Sequence, residues 1–259
     1  MESGIDEAQQ KLKSEDFQKA LDTCQLAYKK YPKDSEMLKS YVEVIESIKV
    51  QGDKASDTEN FVQAQTTYDL LLKNFLRLSG FANSLSFEEK FLAPRLRQSR
   101  MLQAQKEAQS FLKSRDFQKG IDVNRKLTQQ YPSDTTVGNR CISLLESIKG
   151  KADIDLKSKD FASAVRTRRV LLENYSSLSN LKQFFSYDSG LLDAGINTCR
   201  EILSEDALKR YRSGNLSQAI SIRENILTFD SENQEVKKAA RMTAFQSQYL
   251  EKIKSEDTK

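Results

Sequence analysis

The chain repeats itself at a distance of 100 residues, and that narrows the fold more than any other property of the sequence. LKSEDFQKAL, Leu12 to Leu21, returns as LKSRDFQKGI, Leu112 to Ile121, with seven identities in ten positions. The match runs on. Tyr31-Pro32 meets Tyr131-Pro132, Asp34 meets Asp134, the ESIK of Glu46–Lys49 meets that of Glu146–Lys149, and Asp53 meets Asp153. Phe61 meets Phe161, Leu71-Leu72 meets Leu171-Leu172, Leu78-Ser79 meets Leu178-Ser179, and Ser86-Phe87-Glu88 meets Ser186-Tyr187-Asp188. The matching positions are mostly apolar, turn and helix-boundary residues spread over the whole hundred. That distribution marks a duplicated fold unit, not a transplanted catalytic motif.

A finer repeat lies inside each copy. A polar turn is followed by an aromatic or Leu anchor, with Ala or Gly three residues on: EDFQKAL, ENFVQAQ, RDFQKGI, KDFASAV and GNLSQAI. The anchors Phe17, Phe61, Phe117, Phe161 and Leu216 are spaced 44, 56, 44 and 55 residues apart. Apolar residues after each anchor follow helical periodicity, as in Phe17, Ala20, Leu21, Cys24 and Ala27. An amphipathic run also precedes each anchor and ends in a triplet such as Ser-Glu-Asp or Ser-Gly-Asn, whose short side chains favour caps and tight turns. Each unit therefore reads as helix, short turn, helix. Pro32 and Pro132 stop the second helix of the first and third units, and the Asp that follows is placed to cap the next helix. The first helices of the second and fourth units are long, about 34–57 and 134–157 by pattern.

AQQKLKSEDFQKALDTCQLAYKKYP, Ala8 to Pro32, and AQSFLKSRDFQKGIDVNRKLTQQYP, Ala108 to Pro132, resemble the tetratricopeptide repeat family: a small residue in the first helix, an aromatic opening the second, Ala shortly after, Pro at the end. Gly52, Ala152 and Ala207 take the small-residue position of the other units. A small side chain lets the facing helix approach, and the aromatic fills the groove beside it. Spacings of 44 and about 55 depart from the 34-residue period of that family: the first helices of the second and fourth units are long, and extra segments follow those units. The fold expected is an all-α solenoid of about five hairpins. It divides into a first module at 1–100, its duplicate at 101–200, and a terminal hairpin with a capping helix at 201–259. The capping helix, from about Asn233, is expected to lay Val236, Ala239, Ala240, Phe245 and Leu250 on the fifth hairpin.

Composition argues against chemistry. The chain has no His and no Trp, which removes the commonest general base and metal ligand. Its three cysteines, Cys24, Cys141 and Cys199, stand far apart in helical patterns and read as small buried apolar residues. Nucleotide-binding loops, nucleophile elbows and zinc-binding motifs are absent, and the adjacent Glu88 and Glu89 diverge by ~100° on a helix. The expectation is a non-enzymatic protein without cofactor or metal. No apolar run approaches the ~20 residues that span a bilayer. The acidic, polar start MESGIDEAQQ has no signal pattern and favours the cytoplasm, with an exported form whose signal has been removed as the other expectation.

The resemblance implies a concave groove lined by first helices that holds a protein or peptide partner. By position it takes in Glu46, Lys49, Asp53, Gln105, Gln109, Glu146, Lys149, Asp153, Tyr211 and Arg212. The family's carboxylate clamp is absent, since Ile5 and Gln9 stand in its first-unit positions. Glu46, Lys49 and Asp53, three and four residues apart, can also pair along their own helix. Residues 1–100 carry 15 basic and 16 acidic side chains, the remainder 26 and 21. Nucleic-acid binding by the basic C-terminal two-thirds is thus one alternative, and an exported or membrane-associated assembly factor whose signal has been removed is the other. The densest basic patch is Arg166 to Arg169, joined by Arg210 and Arg212, and the competing reading is a solvated face balanced by Asp160 and Glu173. In the extra segments, Phe81, Phe87, Phe184, Phe185 and Tyr187 are either ligand anchors or covers for the end of the preceding hairpin. Retention of Phe87 and Tyr187 at matching positions favours the covers.

Overall fold

A computed structural model describes residues 2–75, 83–178, 181–231 and 233–256. Phe81 and the expected pairs at Leu78, Ser79 and Ser179 lie outside the described residues. The described residues form eleven α-helices and no strand. These are α1 (Glu2–Lys13), α2 (Phe17–Lys30), α3 (Ser35–Asp57), α4 (Phe61–Asn74), α5 (Glu89–Ser114), α6 (Phe117–Gln130), α7 (Thr135–Lys157), α8 (Phe161–Tyr175), α9 (Ser189–Arg212), α10 (Leu216–Phe229) and α11 (Gln234–Glu256). The chain divides into two compact units, Met1–Glu107 and Ala108–Lys259.

In the first unit α1 packs on α2, α2 on α3, α3 on α4, and α1 also reaches α3. In the second, α6 through α11 each pack on the next helix, and α8 also meets α10. Packing of neighbours in sequence is the pattern of a helical repeat.

The turns explain why the helices reverse so tightly. Glu15, Glu59, Arg115, Lys159 and Gly214 all adopt left-handed backbone, with φ between 58 and 78°. The residue after each closes the preceding helix through its own N–H: Asp16 to Lys11 O at 2.9 Å, Asn60 to Ala55 O at 2.8 Å, Asp116 to Phe111 O at 3.0 Å, Asp160 to Asp155 O at 2.8 Å and Asn215 to Arg210 O at 2.9 Å. Four of those same residues then cap the following helix with the side chain. Asp16 accepts from Lys19 N, Asn60 from Gln63 N, Asp160 from Ser163 N and Asn215 from Gln218 N. One residue thus ends one helix and starts the next.

The small residues do what their positions imply. Ala8, Gly52, Ala108, Ala152 and Ala207 are all buried. At Gly52 an added Cβ would lie 3.1 Å from both Thr67 and Tyr68, so α4 seats directly on the backbone of α3. Phe17 and Phe117 are buried in the cores of their units, and Cys24, Cys141 and Cys199 are buried, unpaired thiols. Burial pushes the Cys141 thiol up to about 11 and the other two upward as well.

The long helices begin one residue later than the sequence pattern suggests, because Asp34 and Asp134 are caps. Asp34 Oδ1 accepts from Glu36 N and Met37 N at 3.0 Å, and Asp134 Oδ1 from Thr136 N at 2.9 Å.

The C-terminal helix departs from expectation. Val236 packs on the last core and Thr243 is buried beside it, with Ala239 and Ala240 half-buried. Phe245 and Leu250, however, are 73% and 43% exposed. Phe245 sits nine residues from Val236, which turns it to the opposite side of the helix. Leu250 lies far along a 23-residue helix whose partner α10 has only 14. The inner face is fixed by Arg223, whose Nη1 donates to Ala239 O at 3.0 Å and to Thr243 Oγ1.

Candidate functional site

An open trough of about 500 Å³ runs between α1 and α3, walled by Leu12 and Lys13 on one side and by Glu43, Glu46, Val50 and Gln51 on the other. It lies where α1 and α3 pack side by side, on the side of α3 away from the core that α2, α3 and α4 fill. Val50 is 58% exposed at its wall, an apolar residue left facing solvent on a helix that buries seven others.

Glu46 lines this trough, but it is not paired with Lys49. Its Oε1 accepts from Ser86 N, and its Oε2 accepts from Ser86 Oγ at 2.7 Å. Glu146 repeats the arrangement, with Ser186 N at 2.6 Å and Ser186 Oγ at 2.6 Å. Both glutamates therefore fasten the extra segment across the face of the long helix. Sequence reasoning missed Ser86 and Ser186 as partners, although the recurrence of all four residues at a spacing of 100 carried the signal.

Beside each fastened segment the aromatics cover the hairpin end. Phe87 and Tyr187 are buried, Phe75 lies 6.3 Å from Phe87, and Phe185 stacks on Tyr187 at 5.3 Å. Phe184 alone of the described four is turned out, at 59% exposed. The covering role fits the described aromatics.

Lys49 and Asp53 pair along α3 at 2.7 Å, and Lys149 and Asp153 along α7 at 2.9 Å. The carboxylates also receive a bond from the second helix of the hairpin. Tyr68 Oη donates to Asp53 at 2.6 Å, whereas in the duplicate Arg168 Nη2 donates to Asp153 at 2.9 Å. Burial works against ionisation of Asp53, but hydrogen bonds from Lys49 and Tyr68 outweigh it and hold the carboxyl below its ordinary value. Burial and the Asp53 bond push the Tyr68 phenol upward. These charges belong to the internal structure of the hairpins.

Gln105 and Gln109 are exposed on α5, and Arg212 is exposed at the end of α9. Tyr211 is half-buried, stacks under Arg223 at 5.5 Å, and hydrogen-bonds Gln246 of α11 at 2.7 Å.

The Arg166–Arg169 patch does not form a basic surface. Arg168 is buried against Gly195 and paired with Asp153, which corrects the reading of a solvated basic face. Arg166 is exposed on the same helix, with its guanidinium 3.4 Å from Ser163 Oγ.

A second cavity, of about 310 Å³, opens in the duplicate module beside Arg125, Thr128, Asp134 and Gly138. The first module carries Tyr28 and Leu38 at the positions of Thr128 and Gly138, and both pack against its core. The copies thus differ most where the second has lost bulk.

Among the described residues no cluster of three or more acidic or cysteine side chains could hold a metal ion. No described helix is long and apolar enough to cross a membrane. No protein-family model matches the chain, and no curated protein matches it either.

Proposed function

We propose that the chain is a non-enzymatic, tetratricopeptide-like scaffold that holds a segment of a protein partner on the face formed by its first helices. In this reading α1–α2, α3–α4, α5–α6, α7–α8 and α9–α10 are five hairpins. They form a module at 1–100, its duplicate at 101–200 and a terminal hairpin at 201–259, closed by α11. Five left-handed turns, each seven residues after a buried small residue, support the hairpin assignment.

The observation that carries the reading is the trough between α1 and α3. It is open, is lined by residues of both helices, and offers both a polar wall and the uncovered Val50. Open troughs of this kind suit a peptide that contributes its own secondary structure to the contact.

A photo-crosslinking amino acid at Val50 or Gln51 tests it, with Leu26 on α2, exposed but outside the trough, as the control. Adducts to one protein, formed from the trough positions and competed by unlabelled chain, are the expected result. Equal labelling from Leu26 overturns the reading.

A further inference from the structure

The helices α9, α10 and α11 repeat α1, α2 and α3 at a shift of 199 residues. Gly214 takes the place of Glu15 at the left-handed turn, Leu216 that of Phe17, and Asn233 that of the cap Asp34. Lengths agree too: α2 and α10 have 14 residues, α3 and α11 have 23. This register places the equivalents of the trough walls on α9 and α11, and the Tyr211–Gln246 bond of 2.7 Å joins them where Leu12 and Ser47 stand in the first module.

The lining changes character. Tyr211 replaces Leu12, Met242 replaces Glu43, Phe245 replaces Glu46, Tyr249 replaces Val50 and Leu250 replaces Gln51. Leu208 likewise replaces Gln9. Met242, Phe245 and Tyr249 are 63%, 73% and 59% exposed, and they stand at i, i+3 and i+7, a continuous apolar seam. The seam is not a spare core face, because the opposite side of α11 is already packed through Val236 and pinned by Arg223. A contiguous apolar strip of this kind marks an interaction site.

Charge selects the occupant. Arg212 on α9 and Lys238 and Arg241 on α11 border the seam, and none of the three is bridged to a carboxylate among the described residues. A second copy of the chain would bring the same cations to the same seam. A lipid surface is flat, whereas the equivalent position in the first module is a trough.

We propose that the partner is gripped at this α9–α11 trough by an amphipathic helical segment with acidic residues along its edge. The inference rests on the scaffold reading and adds the place of the grip and the chemistry of the segment. Apolar anchors at i, i+3 or i+4, and i+7 interleave with Met242, Phe245 and Tyr249, and the acidic edge meets Arg212, Lys238 and Arg241.

The probe is a fluorescein-labelled helical peptide of about 18 residues, ~27 Å long, with Leu at those anchor spacings and Glu along one edge, titrated against the full chain. Saturable binding is expected, weakened about tenfold or more by Phe245→Ser, as for a central apolar anchor. Arg212→Glu together with Lys238→Glu is expected to weaken it and flatten its salt dependence. Both sites are exposed, so circular dichroism should be unchanged. A peptide with Lys in place of Glu is expected to bind at least tenfold more weakly, like charges being juxtaposed. No saturable binding, or binding indifferent to Phe245→Ser, overturns the inference. So does a sedimentation shift to dimer, or binding to vesicles containing phosphatidylserine, that replaces peptide binding and is lost in Phe245→Ser. Crosslinking from Val50 to a partner, in a chain that shows no saturable peptide binding even as wild type, leaves the scaffold standing and rejects only this grip. Loss of both rejects the scaffold as well.

Discussion

Gly214 does at the fifth turn what Glu15, Glu59, Arg115 and Lys159 do at the others, and the cost differs. A side chain in the left-handed region brings Cβ against the following carbonyl, at roughly 1–2 kcal/mol. An added Cβ at Gly214 meets nothing within 4 Å, so Gly214→Ala isolates that backbone term. It should lose about 1 kcal/mol in a urea melt, whereas Glu59→Gly should change stability little or raise it. Gly195 poses a packing problem instead. Its added Cβ would stand 2.9 Å from Arg168 Cδ, so Gly195→Ala should displace the buried guanidinium and cost about 1–3 kcal/mol. Asp53 gives a pH signature. Its folded carboxyl titrates below the unfolded ~3.9, so its contribution is complete above that value and fades as the pH falls toward the lower folded one. The gap in stability between the wild type and Asp53→Asn should therefore shrink on going from about pH 6 to about pH 3. The residues that set turns and cores were legible from spacing alone. The exchange of Tyr68 for Arg168 was not, because a run of arginines reads as surface until the helix face is known.

Helix boundaries came through the sequence to within a residue for α3 and α7, since a cap and a left-handed turn are each written in a short polar signature. The orientation of α11 did not. Its apolar residues fall on two faces, and periodicity alone assigned Phe245 to the wrong one, while Leu250 shares the face of Val236 but lies far along a helix longer than its partner α10; the position of Arg223 decides which face is inner. Phe17→Ala and Phe117→Ala, in the interior of their hairpins, should each cost about 3–5 kcal/mol in a chemical melt. The Glu146 fastener makes a different prediction. Glu146→Ala frees Ser186 N and Oγ while leaving the core of α7 intact, so amide exchange at Ser186 and its neighbours should rise well before global stability falls.

Across the whole molecule, cooperativity should follow the repeat. A fragment of residues 1–107 matches a compact unit and should keep its helical circular dichroism, yet melt earlier and less sharply than the full chain. Cys24, Cys141 and Cys199 offer a parallel readout: their buried thiols should resist disulfide reagents until that melt begins. The candidate face was read only from position along the first helices, and a charge pattern shared by two copies concealed that Glu46 and Glu146 are already bonded to Ser86 and Ser186. The duplication has a further consequence for how such a chain can change length. Each hundred-residue copy carries its own turn closures, its own caps and its own glutamate-to-serine clasp, so the fastenings inside it owe nothing to its number in the series. Residues 101–200 inserted a second time after residue 200 should fold as another link, lengthening the chain by a whole unit without any residue being redesigned.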